Sequence, residues 1–353
     1  MTALTDLLLK RIRAEGPLTV ADYMGTCLLH PEHGYYATRD PFGQAGDFIT
    51  APEISQMFGE LVGLSLAQAW LDQGAPGRIA LAELGPGRGT LMADALRATA
   101  RVPGFHAALR VHLIEASPTL RAVQRRTLGN VDVQWHDDVS TLPEMPLFAI
   151  ANEFFDALPI RQFQRGDTGW RERLIGAEGD RLTFGLGPET RLEALEHRLA
   201  DTDPGDLVET CPAAAGIIAT LGQRIADHGG AALIVDYGDW RSLGDTLQAL
   251  HRHQPVDALQ HCGNADLTAH VDFEALAHAA PCKFSRLTPQ GVFLERLSIT
   301  ARAQALAGQL TGKPLETHIA AHRRLTHPAE MGTLFKVMAL YPEGHRPPPG
   351  CEP

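Results

Sequence analysis

The chain is poor in lysine, in paired cysteines and in long apolar runs. Only Lys10, Lys283, Lys313 and Lys336 are lysines, and the arginines gather in no block. With 42 acidic against 31 basic residues, the formal net charge is −11. A nucleic-acid partner calls for a basic face, so that function class starts at a disadvantage. The five cysteines, Cys27, Cys211, Cys262, Cys282 and Cys351, are scattered and in no C-x-x-C spacing. They argue against a disulfide framework and against a zinc site, and no metal is expected. No apolar run approaches the ~18 residues that suggest a membrane span. Met1–Gly16 lacks the cationic start and apolar stretch of a signal peptide, and Asp6 and Glu15 break the acid-poor pattern of a mitochondrial presequence. The expectation is a cytoplasmic protein with no membrane span.

What is present is an ordinary globular composition: 353 residues, 44% hydrophobic and 21% charged. That length allows one large domain with insertions. Thr5–Ala14 is amphipathic, with Thr5 as its expected N-cap, and Glu53–Asp72 reads as a helix led in by Pro52. From Ile79 onward, buried strands alternate with helices: Ile79–Leu84, Leu109–Glu115, Val131–Trp135 and Leu147–Ala151 are the strands, with helices over Leu91–Ala100 and from Pro118. This alternation predicts a doubly wound α/β fold around a parallel sheet. Arg161–Gly187 reads as an antiparallel hairpin insertion. Helix Pro212–His228 and strand Ala231–Val235 resume the core, Leu294–Gln309 reads as a helix, and Leu334–Leu340 as a last, antiparallel strand. The expected division is an N-terminal helical segment over 1–75 and a core over 76–353, with insertions at about 160–190 and 239–270.

Leu81-Ala82-Glu83-Leu84-Gly85-Pro86-Gly87-Arg88-Gly89-Thr90 carries the chemistry. Gly85, Gly87 and Gly89 at a strand-to-helix turn let a ligand approach the backbone and the free N–H groups beyond it. Such a turn serves dinucleotides and S-adenosylmethionine alike, and two details separate them. The dinucleotide pattern needs glycine or alanine where Thr90 stands. Glu83 can pair with the positive charges of S-adenosylmethionine, whereas it would repel a pyrophosphate. Glu115 ends the second strand where a carboxylate can accept from both ribose hydroxyls. Asp137 and Asp138 follow the third strand, within reach of an adenine amino group or in a solvated loop.

Asn152-Glu153-Phe154-Phe155-Asp156-Ala157-Leu158-Pro159 follows the fourth strand at its carboxyl end, where open α/β sheets bind ligands. If the methyl acceptor were an arginine, Glu153 and Asp156 could hold its guanidinium bidentately, with Glu209 converging from later in the chain. His251, His253, His261 and His270 share one region but match no zinc spacing.

The chain resembles the MidA family of S-adenosylmethionine-dependent methyltransferases, which includes a mitochondrial complex I assembly factor that methylates arginine. The resemblance rests on His33-Gly34-Tyr35-Tyr36, Gly46–Ser55, Phe58-Gly59-Glu60, the glycine loop, Asn152–Pro159, Asp236-Tyr237-Gly238, Asp266–Phe273 and Met331-Gly332 with Phe335-Lys336-Val337. It implies a Rossmann-like methyltransferase sheet and S-adenosylmethionine as cofactor. It also implies that Gly46–Glu53 covers the pocket, with Asp47 near the cofactor or target side chain. The implied substrate is a protein arginine, on the large hydrophilic subunit of respiratory complex I. One departure is that Thr246–His253 lacks the arginine and tyrosine common in the family at that place. Two other readings stay open: a non-catalytic assembly factor keeping the fold, and a nicotinamide-dependent oxidoreductase. Oligomeric state is not written in the sequence; a homodimer would place its contacts on Arg161–Gly187.

Overall fold

The apolar runs of the alternating region form one sheet. In this computed structural model, which describes residues 2–38 and 50–353, its strands are β1 (Ile79–Leu84), β2 (Leu109–Ile114), β3 (Val133–His136), β4 (Leu147–Asn152), β5 (Gly230–Asp239) and β6 (Phe335–Tyr341). Across the sheet the order is β3-β2-β1-β4-β5-β6. The first five run parallel, and β6 is antiparallel to β5. β1 and β4 are buried at every position, which is why they read as unbroken apolar runs rather than alternating ones. Expectation and structure agree within a residue or two at these strands, except that β5 runs four residues beyond the expected Val235.

Contacts divide the chain into two compact units. One comprises Met1–Phe48, Asp156–Ala214 and Asp239–Ala275; the other comprises Ile49–Phe155, Ala215–Gly238 and Leu276–Pro353. The helix before β1 falls in the same unit as the sheet.

That helix, α1 (Gln56–Asp72), packs tightly on α2 (Thr90–Thr99), the helix leaving the glycine loop. Cβ atoms at Gly59 and Gly63 would lie 2.8 Å from Asp94 Cβ and 2.7 Å from Ala95 Cβ, so only glycine allows this approach. Beside them, buried Glu60 binds Arg97 at 2.6 Å and Arg302 at 2.8 Å. The expected helix over 53–72 is divided in two. Thr50 leads the short turn Ala51–Ile54, then extended Ser55 caps α1 by accepting from Met57 N at 3.2 Å. Leu294–Gln309 is divided likewise, at Ser298 with φ +66°.

In the other unit, Arg161–Arg165, Trp170–Glu178, Arg181–Thr190 and Leu207–Thr210 form an antiparallel sheet, larger than the expected hairpin. Helix Ala3–Glu15 buries Leu4, Leu8, Leu9 and Ile12 in that unit's core with Tyr23, Met24, Ile175 and Leu267. Its cap is Thr2, which accepts from Thr5 N at 3.1 Å, rather than Thr5. The polar stretch after Asp239 holds a small sheet of Gln248–His251, Gln254–Val256 and Asp266–Thr268. Among the described residues, no helix is long and apolar enough to cross a membrane.

One feature of the parallel sheet responds to acid. His112 of β2 is 1% exposed, and its Nδ1 lies 2.9 Å from His136 Nε2 of β3. Burial, with His136 adding, lowers its pKa from 6.5 to about 4. The unfolded chain takes up this proton as pH falls through 6.5, while the fold refuses it until about 4. Stability present above the unfolded value is then lost between these limits, by up to about 3 kcal/mol. Denaturant titrations between pH 7 and 4 are expected to show that slope, flattened in His112→Gln.

Candidate active site

The carboxyl ends of the parallel strands finish level with one another. Leu84 pairs with Ile114 on one side and Ala151 on the other, so the next residues, Glu115, Gly85 and Asn152, follow in one row. Glu115 N extends the row by donating to His136 O at 3.0 Å. Between β1 and β4 the strand order reverses, which opens a crevice at the carboxyl end of the sheet.

The glycine loop turns there with φ of +59°, +50° and +80° at Gly85, Gly87 and Gly89. Gly89 serves as the N-cap of α2 and offers no side chain to its free N–H groups. Glu83 is 3% exposed, and its Oε2 has no hydrogen-bond partner among the described residues. Burial pushes its carboxyl up to about 8, with the Met92 N–H pulling the other way. Asn152 Oδ1 is also buried without a partner, while its Nδ2 donates to Glu153 Oε1 at 3.1 Å. Glu115 accepts from Ser117 N at 2.8 Å and Gln124 Nε2 at 3.2 Å, and burial raises its pKa.

Gln124, of helix α3 (Pro118–Leu128), went unrecognised in the sequence. It is fully buried, and its Nε2 also donates to Gly87 O at 2.8 Å while its Oε1 accepts from Trp135 Nε1 at 2.8 Å. One amide thus ties the glycine loop, Glu115 and β3 together. The signal was present: Leu120, Gln124 and Leu128 form the buried stripe of α3, and the amide interrupts it.

Glu153 leaves β4 with φ +49°, a left-handed conformation that is uncommon for a side chain of this size. Its Oε1 accepts from Ala51 N at 2.9 Å, and its N–H donates to Val235 O at 2.9 Å. Buried Asp236 stabilises the turn that follows, its Oδ2 accepting from Phe154 N at 3.2 Å and Phe155 N at 3.0 Å. Thr90, where a dinucleotide loop would have glycine, donates to Glu53 Oε1 at 2.6 Å and so docks the turn Ala51–Ile54 on α2.

The remaining sequence candidates belong to the other unit or are engaged by neighbouring groups. Asp137 forms an ion pair with Arg121 at 2.6 Å, and Asp138 accepts from Ser140 N at 2.7 Å. In the other unit, Asp156 is buried, and its carbonyl accepts from Ala269 N at 2.9 Å. Glu209 accepts from Gln162 Nε2 at 2.7 Å and from the N–H and hydroxyl of Thr246, so its carboxylate organises its own unit. Tyr36 donates to Asp266 at 3.1 Å, and burial with Asp266 and Asp156 nearby raises its pKa. Asp47 lies outside the described residues.

A sequence model of a family of S-adenosyl-L-methionine-dependent methyltransferases matches residues 61–291. The chain belongs to this family. It is 38% identical over 370 residues to protein arginine methyltransferase NDUFAF7, mitochondrial, of Xenopus laevis, covering 96% of this chain and 84% of the relative. The human protein of that name is 36% identical, with 97% and 84% covered. The crystal structure of a superfamily member from Burkholderia thailandensis bound to S-adenosyl-homocysteine has a TM-score of 0.82 at 31% identity, covering 96% of this chain and 92% of that one. The chain thus has the mixed α/β fold of a methyltransferase, and S-adenosylmethionine is its cofactor. The expected cytoplasmic location does not stand, because the curated relatives are named as mitochondrial. The physical reason is local: residues 3–15 form a capped helix packed in a core, so their composition reflects packing rather than location.

The residues at the sheet edge fit the cofactor. S-adenosylmethionine carries cationic groups and hydroxyl donors, and the crevice has two buried acceptor atoms, Glu83 Oε2 and Asn152 Oδ1, without donors among the described residues. Gln124→Leu would break the amide's ties to Gly87 and Glu115. Its expected effect is at least tenfold weaker S-adenosyl-homocysteine binding by calorimetry, from ~1–3 kcal/mol of lost or orphaned hydrogen bonds.

Proposed function

We propose that this methyltransferase transfers a methyl group to an arginine side chain of a protein, as the names of its relatives state for them. The observation that carries the chemical reading is Glu153, held left-handed at the carboxyl end of β4 beside the glycine loop. When bound, S-adenosylmethionine supplies an electrophilic methyl group on sulfonium. The remaining work belongs to this chain. Glu83 holds a cofactor cation, Glu115 the ribose hydroxyls, Asn152 a donor of the cofactor, and the glycine loop gives the backbone a close approach. Asp137 and Asp138 are proposed on the adenine side.

Glu153 is proposed to hold the guanidinium through its carboxylate oxygens. Drawing the positive charge toward one edge leaves nucleophilic density on the opposite nitrogen, and the same carboxylate can take up the proton released on transfer. Asp156 and Asp47 are proposed as further carboxylates for the substrate on the family resemblance. The same resemblance supports a complex I hydrophilic subunit as substrate and the N-terminal segment as a pocket cover. A homodimer is proposed through Arg181–Thr190, which pairs only with Trp170–Glu178 among the described strands; size-exclusion chromatography with light scattering tests it.

Two measurements test the site. Glu153→Gln is expected to lower kcat on the order of a hundredfold in methyl transfer to an arginine protein, with S-adenosyl-homocysteine affinity little changed. Unchanged kcat would remove Glu153 from the chemistry. Glu83, with its pKa at about 8, is mostly protonated at pH 7 and must ionise to pair with a cofactor cation. Cofactor binding at pH 7 is therefore expected to release close to one proton, with affinity rising as pH increases toward 8. Calorimetry in buffers of different ionisation heat reads that release, which disappears in Glu83→Gln.

A further inference from the structure

The first unit buries two cysteines in one cluster, among residues to which no role in methyl transfer is assigned above. Helix Val20–Leu29 presents Tyr23 and Cys27 on one face, four residues apart, both fully buried. Cys262 approaches that face from the turn before strand Asp266–Thr268 and is itself 3% exposed. Cys27 and Cys262 pack in the same buried cluster, and each thiol acts electrostatically on the other. The Tyr23 hydroxyl donates to Ala258 O at 2.6 Å and lies 3.3 Å from Cys262 Sγ. The two sulfurs are not equivalent. Cys27, followed by Thr5 and Tyr23, holds Cys262 below the usual thiol range, while Cys262 and burial push Cys27 up.

Cys262 also has a route to the outside. It lines a cavity of about 380 Å³ together with Thr2, Leu4, Glu32, His33 and Asn264. The other three cysteines differ: burial pushes Cys211 and Cys282 up to about 11 and Cys351 up to about 12. A thiolate is the nucleophile in thiol–disulfide exchange, so reactivity should concentrate at the cavity.

We propose that Cys262 and Cys27 form a reversible thiol–disulfide site, with Cys262 as the attacking sulfur and Cys27 as the resolving one, oxidised by a low-molecular-weight disulfide entering through that cavity. The steps balance. Cys262 thiolate attacks one sulfur of the small disulfide, forming a mixed disulfide and releasing one small thiolate. Cys27 then attacks Cys262 Sγ and gives its proton to the departing sulfur, which forms the intramolecular bond and releases the second small thiol. Two protein thiols are oxidised and one small disulfide is reduced to two thiols.

The test uses the full chain with S-adenosyl-homocysteine bound, incubated with oxidised glutathione. Remaining thiols are alkylated and the peptides mapped by mass. A Cys27–Cys262 bridge that dithiothreitol reverses is expected, with Cys211, Cys282 and Cys351 alkylated. Cys27→Ser is expected to stop at glutathione on Cys262, and Cys262→Ser to leave Cys27 unmodified. A bridge or adduct on the other three cysteines, or a wild-type protein whose Cys27 and Cys262 remain fully alkylated at every glutathione ratio, would overturn the proposal. The readout is mass rather than methyl transfer, so it stands or falls apart from the proposed activity.

Discussion

The constraint on which the site depends is the reversal of strand order between β1 and β4. Chains leaving these neighbouring strands at their carboxyl ends go to opposite sides, so no helix can cover the gap. Two unusual backbone turns mark it, the glycine loop after β1 and the left-handed Glu153 after β4. The first needs glycine. The second is maintained by hydrogen bonds from outside the turn, Val235 O on Glu153 N and Asp236 Oδ2 on the next two amides. Strain at Glu153 is thus sustained by β5, which ties the site to the sheet that frames it.

The helix packing serves the same edge. α2 begins where the glycine loop ends, so any shift of α2 moves the loop. Gly59 and Gly63 bring α1 against it without side chains between, and buried Glu60 joins Arg97 of α2 to Arg302. Thr90 and Glu53 add a hydrogen bond at its first turn. From below, Gln124 holds the loop carbonyl at Gly87. The loop is therefore fixed on both sides.

How much of this could be read in the sequence follows from the range of the interactions. The strands and the glycine loop were legible because burial on both faces and a left-handed turn each impose a local residue pattern. Helix breaks at Ser55 and Ser298 were not, because an apolar period continues across them and only tertiary packing decides where the axis turns. Helix Lys313–Thr326 was missed, although its amphipathic pattern was there to be read. Gln124 shows the limit most clearly: its three partners come from the glycine loop, the end of β2 and β3, and nothing local announces them. Glu209 shows the converse. A buried acid near a conspicuous motif looked available for substrate, but Thr246 and Gln162 supply its donors.

That contrast gives a rule for separating structural carboxylates from those that await a ligand. Glu209 and Glu60 are buried, and neighbours within their own unit supply their hydrogen bonds or counter-charges. Glu83 is equally buried, yet one of its oxygens has no donor among the described residues. An orphan atom alone decides nothing, since His112 Nε2, Gln290 Oε1 and Ser242 Oγ are orphans too. What distinguishes Glu83 Oε2 and Asn152 Oδ1 is that they flank the one gap that the strand order opens, where a bound molecule can supply the missing donors. Leaving a buried carboxyl without a donor costs about 1–3 kcal/mol or more, and here that cost raises its pKa toward neutrality. A cationic ligand relieves this cost on binding, whereas a pyrophosphate would add to it.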